Sequence, residues 1–144
     1  MVDPAAVGRT GEPFEFPLER GKVREFARAT KSSNPSYLDD PAPVVPPTFL
    51  TTMTFWTTPA SDTWSAVKMD QSRGLHAEQE YVFHGPPPRA GTVLTAQSRI
   101  ESITSKPGRR GGELTFVVQV TEFRDESGRL VAEARLTGVE TAAL

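Results

Sequence analysis

The sequence contains no cysteine, which excludes both a disulfide framework and a zinc site built from thiolates. It also has no long apolar run, because its longest mainly uncharged stretch, residues 42–60, is interrupted by prolines and rich in threonine. A membrane span is therefore not expected. With 16 basic and 18 acidic residues and a net charge of −2, no basic face for nucleic acid is indicated.

The chain of 144 residues is long enough for one domain with its own core. Residues 1–11 are small and mostly polar, so we expect a flexible lead-in there and a single domain over residues 12–144. The first residues show no basic start followed by an apolar segment, which predicts a cytoplasmic protein.

The pattern of apolar residues predicts an α+β fold. Phe14 and Phe16 alternate with Glu15 as in a strand, and residues 18–30 place apolar side chains on one side of a helix. Residues 48–58 (TFLTTMTFWTT) fit either a strand or a helix. From residue 75 onward four stretches alternate as strands, separated by short turn sequences, which predicts an antiparallel meander with the helices on one face.

Five segments, in this order, resemble the MaoC-like hydratase/dehydratase superfamily: FPLERGKVREFARAT, NPSYLDD, VVPPTFL, LHAEQEYVFHGPPPRAG and GGELTFVVQVTEFRDESGRLVAEAR. The resemblance covers residues 12–141 and is strongest to the N-terminal-type dehydratase domain, which also occurs as the partner subunit of heterodimeric 3-hydroxyacyl-thioester dehydratases. It implies a hotdog fold, in which a curled antiparallel sheet wraps a long central helix and two such folds pair. Residues 48–58 then correspond to that helix, buried on all sides.

The family's catalytic loop carries an Asp two residues before its Asn-Pro and a His two residues after the Pro. In this chain those positions hold Ser32 and Tyr37. Hydration of an enoyl thioester needs a group that takes and returns a proton near neutral pH, and neither hydroxyl does so unaided. The frame of the loop is present without its acid–base pair.

Other residues are weaker catalytic candidates. His76 lies at the start of a predicted strand at same-face spacing from Glu78, and a His/Glu pair can transfer a proton if both side chains reach one cleft. Asp39 in the loop could face such a cleft. Neither histidine has a second ligand at metal spacing, so no metal site is predicted.

The resemblance predicts a non-catalytic subunit that accommodates the acyl chain, while a catalytic MaoC-like hotdog partner supplies the Asp and His. The thioester would be carried on CoA or on acyl carrier protein, with no further cofactor, and the assembly would be a homodimer or a heterodimer. Candidate substrate-binding residues are Asn34, Tyr37, Phe49, Met53 and Trp56.

Three alternatives stay open. The chain could be a self-sufficient homodimeric hydratase that uses His76 with Glu78 or Asp39, or a non-enzymatic module that binds acyl thioesters. A hotdog thioesterase is disfavoured because residues 48–58 carry no carboxylate. The turn at residues 108–112 (GRRGG) could contact phosphates of CoA or of a carrier arm, or could simply be a hairpin tip.

Overall fold

The computed structural model describes residues 1–109 and 111–142. Its strands are β1 (Phe14–Pro17), β2 (Gly74–Phe83), β3 (Val93–Pro107), β4 (Glu113–Arg124) and β5 (Leu130–Glu140). Its α-helices are α1 (Arg20–Ala29), α2 (Pro35–Leu38) and α3 (Trp64–Val67), and two 3₁₀ helices span Pro4–Ala6 and Phe49–Phe55. The five strands form one antiparallel sheet, which confirms the predicted α+β fold with a curled sheet.

The strand order is β1-β3-β4-β5-β2, so the predicted meander is correct for β3, β4 and β5 and wrong for β2. β2 precedes β3 in the chain but pairs with β5. The connection between β2 and β3 contains three consecutive prolines, which cannot donate to a ladder. It pairs instead with the loop before the second 3₁₀ helix, where Val45 donates to the carbonyl of Pro88 at 3.0 Å and Ala90 to that of Pro43 at 2.9 Å.

Aromatic rings form the centre of the core. Phe16 on β1 lies 6.2 Å from Phe49 and 5.8 Å from Phe123 on β4, measured between ring centroids. Phe26 on α1 meets Phe49 edge to face at 5.5 Å. These contacts join the sheet, α1 and the second 3₁₀ helix, so truncating Phe16 to alanine is expected to cost about 3–5 kcal/mol.

The helix expected over residues 48–58 is shorter and more exposed than predicted. It is a seven-residue 3₁₀ helix, and it buries Phe49, Leu50 and Met53 while leaving Phe55 83% exposed. Threonine explains the difference, because hydroxyl groups bond carbonyls three residues back, as Thr52 does to Phe49 at 2.9 Å. The β-branched residues also have low helix propensity. The sheet therefore covers one side of this helix only.

Several of the first eleven residues, for which a loose lead-in was expected, contact the sheet. Val2 and Ala6 are buried. The amide of Gly8 donates to the carbonyl of Ile100 at 2.9 Å, and Thr10 forms a bridge with Arg99 on β3. This segment thus extends the edge of β3 beyond the point where β1 begins.

Glycine at position 138 is required by close packing. A Cβ at Gly138 on β5 would lie 2.9 Å from the ring of Trp64 on α3. Gly21 in α1 is different, since a Cβ there would meet nothing within 4 Å. The two positions provide a matched pair for substitution.

A charged cluster joins the turn before β2 to the end of β5. Arg73 binds Asp70 at 2.9 Å and the buried Glu140 at 3.2 Å, and the amide of Asp70 donates to Glu140 at 2.7 Å. A hydrogen bond from the Ser72 hydroxyl is the main cause that lowers the pKa of Asp70 to about 2, with Arg73 as the next. Asp70 therefore stays ionised well into the acid range.

Candidate functional site

A cavity of about 520 Å³ lies between α1 and the second 3₁₀ helix, and we call it the aromatic pocket. Its volume falls within the range of small-ligand sites. Most of its lining is apolar, and its side chains come from β1, α1 and the 3₁₀ helix: Phe16, Pro17, Phe26, Ala29, Phe49, Thr52, Phe55 and Trp56, with Lys22 and Glu25.

The charged groups of this lining neutralise each other at its rim. Lys22 on α1 donates to Glu25 at 2.9 Å, and both side chains are more than half exposed. This hydrogen bond raises the pKa of Lys22 above its ordinary value, so the amine stays protonated. No other lining residue carries an ionisable group. The pocket can therefore hold an apolar chain, and the two charged residues of its lining are engaged with each other at the rim.

The loop with the Asn-Pro motif has a conventional helix-capping geometry. Asn34 accepts a hydrogen bond from the amide of Ser36 at 3.0 Å and thereby caps α2, whose first residue is Pro35. The Ser32 hydroxyl accepts from the amide of Asn34 at 3.3 Å. Tyr37 is half-buried and packs against the core. Within residues 1–109 and 111–142, neither Ser32 nor Tyr37 is hydrogen-bonded to a carboxylate or an imidazole.

The structure separates His76 from Glu78. A β-bulge at Ala77 shifts the register, so that His76 lies opposite Gly138 on β5 and Glu78 lies opposite Thr137. Neighbouring residues of a strand point to opposite faces, and cross-strand partners share a face. His76 and Glu78 therefore point to opposite sides of the sheet, and the expectation of same-face spacing is wrong.

Asp39 is exposed at the end of α2, and its backbone amide donates to Pro35. The described ranges contain no group of three or more carboxylate or imidazole side chains placed to hold a metal ion. His84, directly after β2, contacts Glu133 on β5 at 2.8 Å.

The five predicted substrate-binding residues fall into three places. Phe49 and Trp56 line the aromatic pocket. Met53 lies on the other side of the 3₁₀ helix, while Asn34 and Tyr37 belong to the loop and are not in the pocket lining. Phe16 and Phe26 were missed as lining residues.

Met53 borders a second cavity of about 30 Å³, large enough for a single water molecule. Polar side chains from two strands and the 3₁₀ helix surround it, including Gln79 on β2 and Gln119 on β4. Gln119 donates to the buried hydroxyl of Thr63 at 2.7 Å. Burial raises the pKa of Tyr81, which also lines this cavity, so its hydroxyl stays protonated.

Strand β2 forms an open edge of the sheet. It pairs with β5 on one side, and no other strand of the described ranges pairs with its second side. Leu75 on this strand is 62% exposed. A ten-residue edge with free amides and carbonyls is a ready template for a strand of another chain.

The turn at residues 108–112 is only partly described, because Arg110 lies outside the described residues. Gly111 and Gly112 have φ values of +86° and +74°, which favour glycine. Lys106 lies 4.4 Å above the ring of Phe116. Contact with phosphate groups stays a prediction for this turn.

None of the helices in the described ranges combines the length and apolar character that crossing a membrane requires.

Residues 5–134 match the family model described as FAS1-like, dehydratase domain region. Among curated proteins, a UPF0336 protein of Streptomyces avermitilis is 35% identical over 143 residues, covering 92% of this chain and 91% of the relative. A UPF0336 protein of Streptomyces griseus is 32% identical, covering 99% and 97%.

Solved structures show the same architecture. The C-terminally truncated HadBC complex of Mycobacterium tuberculosis, a 3R-hydroxyacyl-ACP dehydratase, aligns with a TM-score of 0.73 and 28% identity over 93% of this chain and 96% of that chain. A MaoC-like dehydratase aligns with a TM-score of 0.79 and 26% identity over 96% of this chain and 43% of that one. The ChsH1–ChsH2 complex of Mycobacterium tuberculosis shares the fold. It aligns with a TM-score of 0.76 and 17% identity over 98% of this chain and 88% of that chain.

Proposed function

The chain belongs to the MaoC-like hotdog family, in its FAS1-like dehydratase region, and from this premise we propose that it is a non-catalytic subunit of an (R)-specific enoyl hydratase or 3-hydroxyacyl-thioester dehydratase. Its role would be to accommodate the acyl chain. The observation that carries this proposal is an apolar pocket of about 520 Å³ in a chain whose acid–base positions hold Ser32 and Tyr37.

The chemistry explains why a partner is needed. Hydration of an enoyl thioester adds hydroxide to C3 and a proton to C2, and dehydration reverses both transfers. Each direction requires a base for one proton and an acid for the other. Ser32 serves as an acceptor for the amide of Asn34, and Tyr37 packs against the core. An Asp and a His of the partner subunit would carry out both transfers.

This chain would contribute binding energy through its pocket. Phe16, Phe26 and Phe49 form the inner wall, and Phe55 and Trp56 extend it toward solvent. Each methylene removed from water stabilises the bound chain by about 0.8 kcal/mol, which is about fourfold in affinity. The pocket therefore favours long acyl chains over short ones.

The partner would be a second hotdog subunit. The similar HadBC and ChsH1–ChsH2 structures are complexes, and this family relationship supports such an assembly here. The open edge of β2, with Leu75 exposed, provides backbone groups for pairing with that subunit. A homodimeric hydratase that uses His76 with Glu78 is not favoured, because the two side chains point to opposite faces.

The test combines this chain with a MaoC-like subunit that has the intact Asp/His pair. Hydration is measured over a series of enoyl-CoA lengths for the partner alone and for the complex. The complex is expected to gain activity mainly on long chains. Ala29→Trp, which fills the pocket at the end of α1, should remove that gain, while the control Ala5→Trp at an exposed position outside the lining should keep it.

A complex whose length preference equals that of the partner alone, with Ala29→Trp and Ala5→Trp behaving alike, would contradict the proposal. Circular dichroism of both variants establishes that each is folded before activity is compared.

A further inference from the structure

Helix α1 carries a row of basic side chains. Arg20, Arg24 and Arg28 follow each other at four-residue spacing, so they lie along one side of the helix. Lys31 lies two residues beyond the last residue of the helix. Among residues 1–109 and 111–142, none of these four cations makes an ion pair. We call the three arginines the α1 row.

Two arginines of the sheet and its β4–β5 turn, in contrast, form ion pairs. Arg135 on β5 makes a two-pronged contact with Glu101 on β3, with one of its N–O distances 2.9 Å. Arg129 binds Asp125 at 3.0 Å in the β4–β5 turn. The carboxylate within α1, Glu25, is paired with Lys22. The α1 row thus concentrates positive charge that the described part of the chain leaves uncompensated.

Local electrostatics of the α1 row are unfavourable in the isolated chain. Like charges at four-residue spacing repel each other. Arg20 stands at the first position of the helix, where the positive end of the helix dipole disfavours a cation. The Nε of Arg24 is buried and has no hydrogen-bond partner. An anionic surface laid along the row would relieve the first two.

The row lies close to the aromatic pocket but outside it. One side of α1 buries Val23 and Ala27 in the core, and a second side gives Phe26 and Ala29 to the pocket. The row occupies the third side. Because a helix with its side chains is about 10–12 Å wide, a partner on the row lies within about one helix diameter of the pocket.

We propose that the α1 row is the docking surface for an acidic helix of the carrier protein that delivers the acyl chain. The proposal rests on the proposed function, since it identifies which carrier brings the thioester to the pocket. Eight residues separate Arg20 from Arg28, so the row is about 12 Å long. Carboxylates at the same spacing on a second helix would match it.

The linear arrangement favours a helix over a nucleotide. Phosphate groups of a single CoA are close together and suit a compact clamp of cationic side chains. The three guanidinium groups are instead spread along the outside of a helix, with Arg20 and Arg28 exposed. Such a row steers and orients a charged macromolecule, and its effect falls with salt.

The test measures binding to the complex of this chain and its hotdog partner by calorimetry at two salt concentrations. Three ligands are compared: an acyl carrier protein without acyl chain, the same protein with a non-hydrolysable 3-hydroxyacyl group, and that acyl group on CoA. The variant is Arg20→Gln with Arg28→Gln, both exposed. A second variant adds Arg24→Gln. The control removes two other exposed cations that lie outside the α1 row and the pocket lining, Arg9→Gln with Lys68→Gln.

The row variants are expected to bind both forms of the carrier protein about tenfold or more weakly at low salt, with a smaller salt dependence. Affinity for the acyl-CoA should be unchanged, and the control pair should behave as the wild type. Equal carrier affinity in variants and wild type would overturn the proposal. An equal loss for carrier protein and CoA would also overturn it, by identifying a phosphate site.

The carrier protein without acyl chain separates this inference from the proposed function. Its binding depends on docking alone, so a loss there in the row variants supports the docking surface even if acyl length has no effect. Conversely, a length effect that Ala29→Trp removes, together with unchanged carrier binding, supports the pocket and overturns the row.

Discussion

Truncating Phe55 should separate ligand binding from stability. The side chain lines the aromatic pocket but is 83% exposed, so folding buries about a sixth of it. A phenylalanine presents about 200 Å² of apolar surface. At about 25 cal/mol per Å², the buried sixth is worth less than about 1 kcal/mol. Phe55→Ala should therefore leave the free energy of unfolding nearly unchanged.

Binding of a long acyl chain should change much more. A ligand that covers about half of the exposed ring removes about 80 Å² from water, which corresponds to about 2 kcal/mol or about thirtyfold in affinity. Calorimetry with a non-hydrolysable long-chain acyl thioester measures this loss, and urea unfolding measures stability. Val7→Ala, also exposed but outside the pocket lining, is the control. Wild-type affinity of Phe55→Ala for long chains would refute the location of the acyl site.

Three other changes test the packing at two glycines, the charge of Asp70 and the catalytic loop. In urea unfolding, Gly21→Ala should stabilise the protein by about 0.5–1 kcal/mol, and Gly138→Ala should destabilise it by about 1–3 kcal/mol. The reason is that only the methyl group added at position 138 meets an aromatic ring. Equal effects of the two substitutions would contradict this. Asp70→Asn should lower the urea midpoint clearly at pH 7 and much less at pH 2. The pKa of Asp70 is lowered from its ordinary value of 3.8 to about 2 in the folded protein, so its stabilisation is present above pH about 4 and is lost as pH falls through about 2. Ser32→Asp with Tyr37→His should gain hydration of a short enoyl-CoA, and a folded double variant without activity would mean that more than the pair is missing.

Local patterns predicted the elements that local interactions determine. The amphipathic spacing around Val23 and Ala27 predicted α1, and alternation predicted every strand of the sheet. Long-range pairing was not predictable in the same way. The place of β2 beside β5 and the bulge at Ala77 depend on contacts between residues far apart in the chain, so the relation of His76 to Glu78 was misjudged.

The inner face of β4 shows a second limit. Gln119 and Thr121 point into the core, although alternation alone suggests that polar residues face water. Each is buried because it finds a polar partner there: Thr63 for Gln119, and Ser98 for Thr121 at 2.8 Å. The pocket likewise combines β1, α1 and the 3₁₀ helix, a combination that spacing within any one segment does not reveal.

The most direct test of the central claim is hydration of crotonyl-CoA by the purified, folded chain without a partner. We expect no turnover above the rate in buffer, because Ser32 and Tyr37 stand where the acid–base pair would be and the charged groups of the pocket lining, Lys22 and Glu25, are paired with each other. Adding a hotdog subunit with the intact Asp/His pair should bring hydration activity to the same sample. Clear turnover by the chain alone would contradict the claim that it is the non-catalytic half.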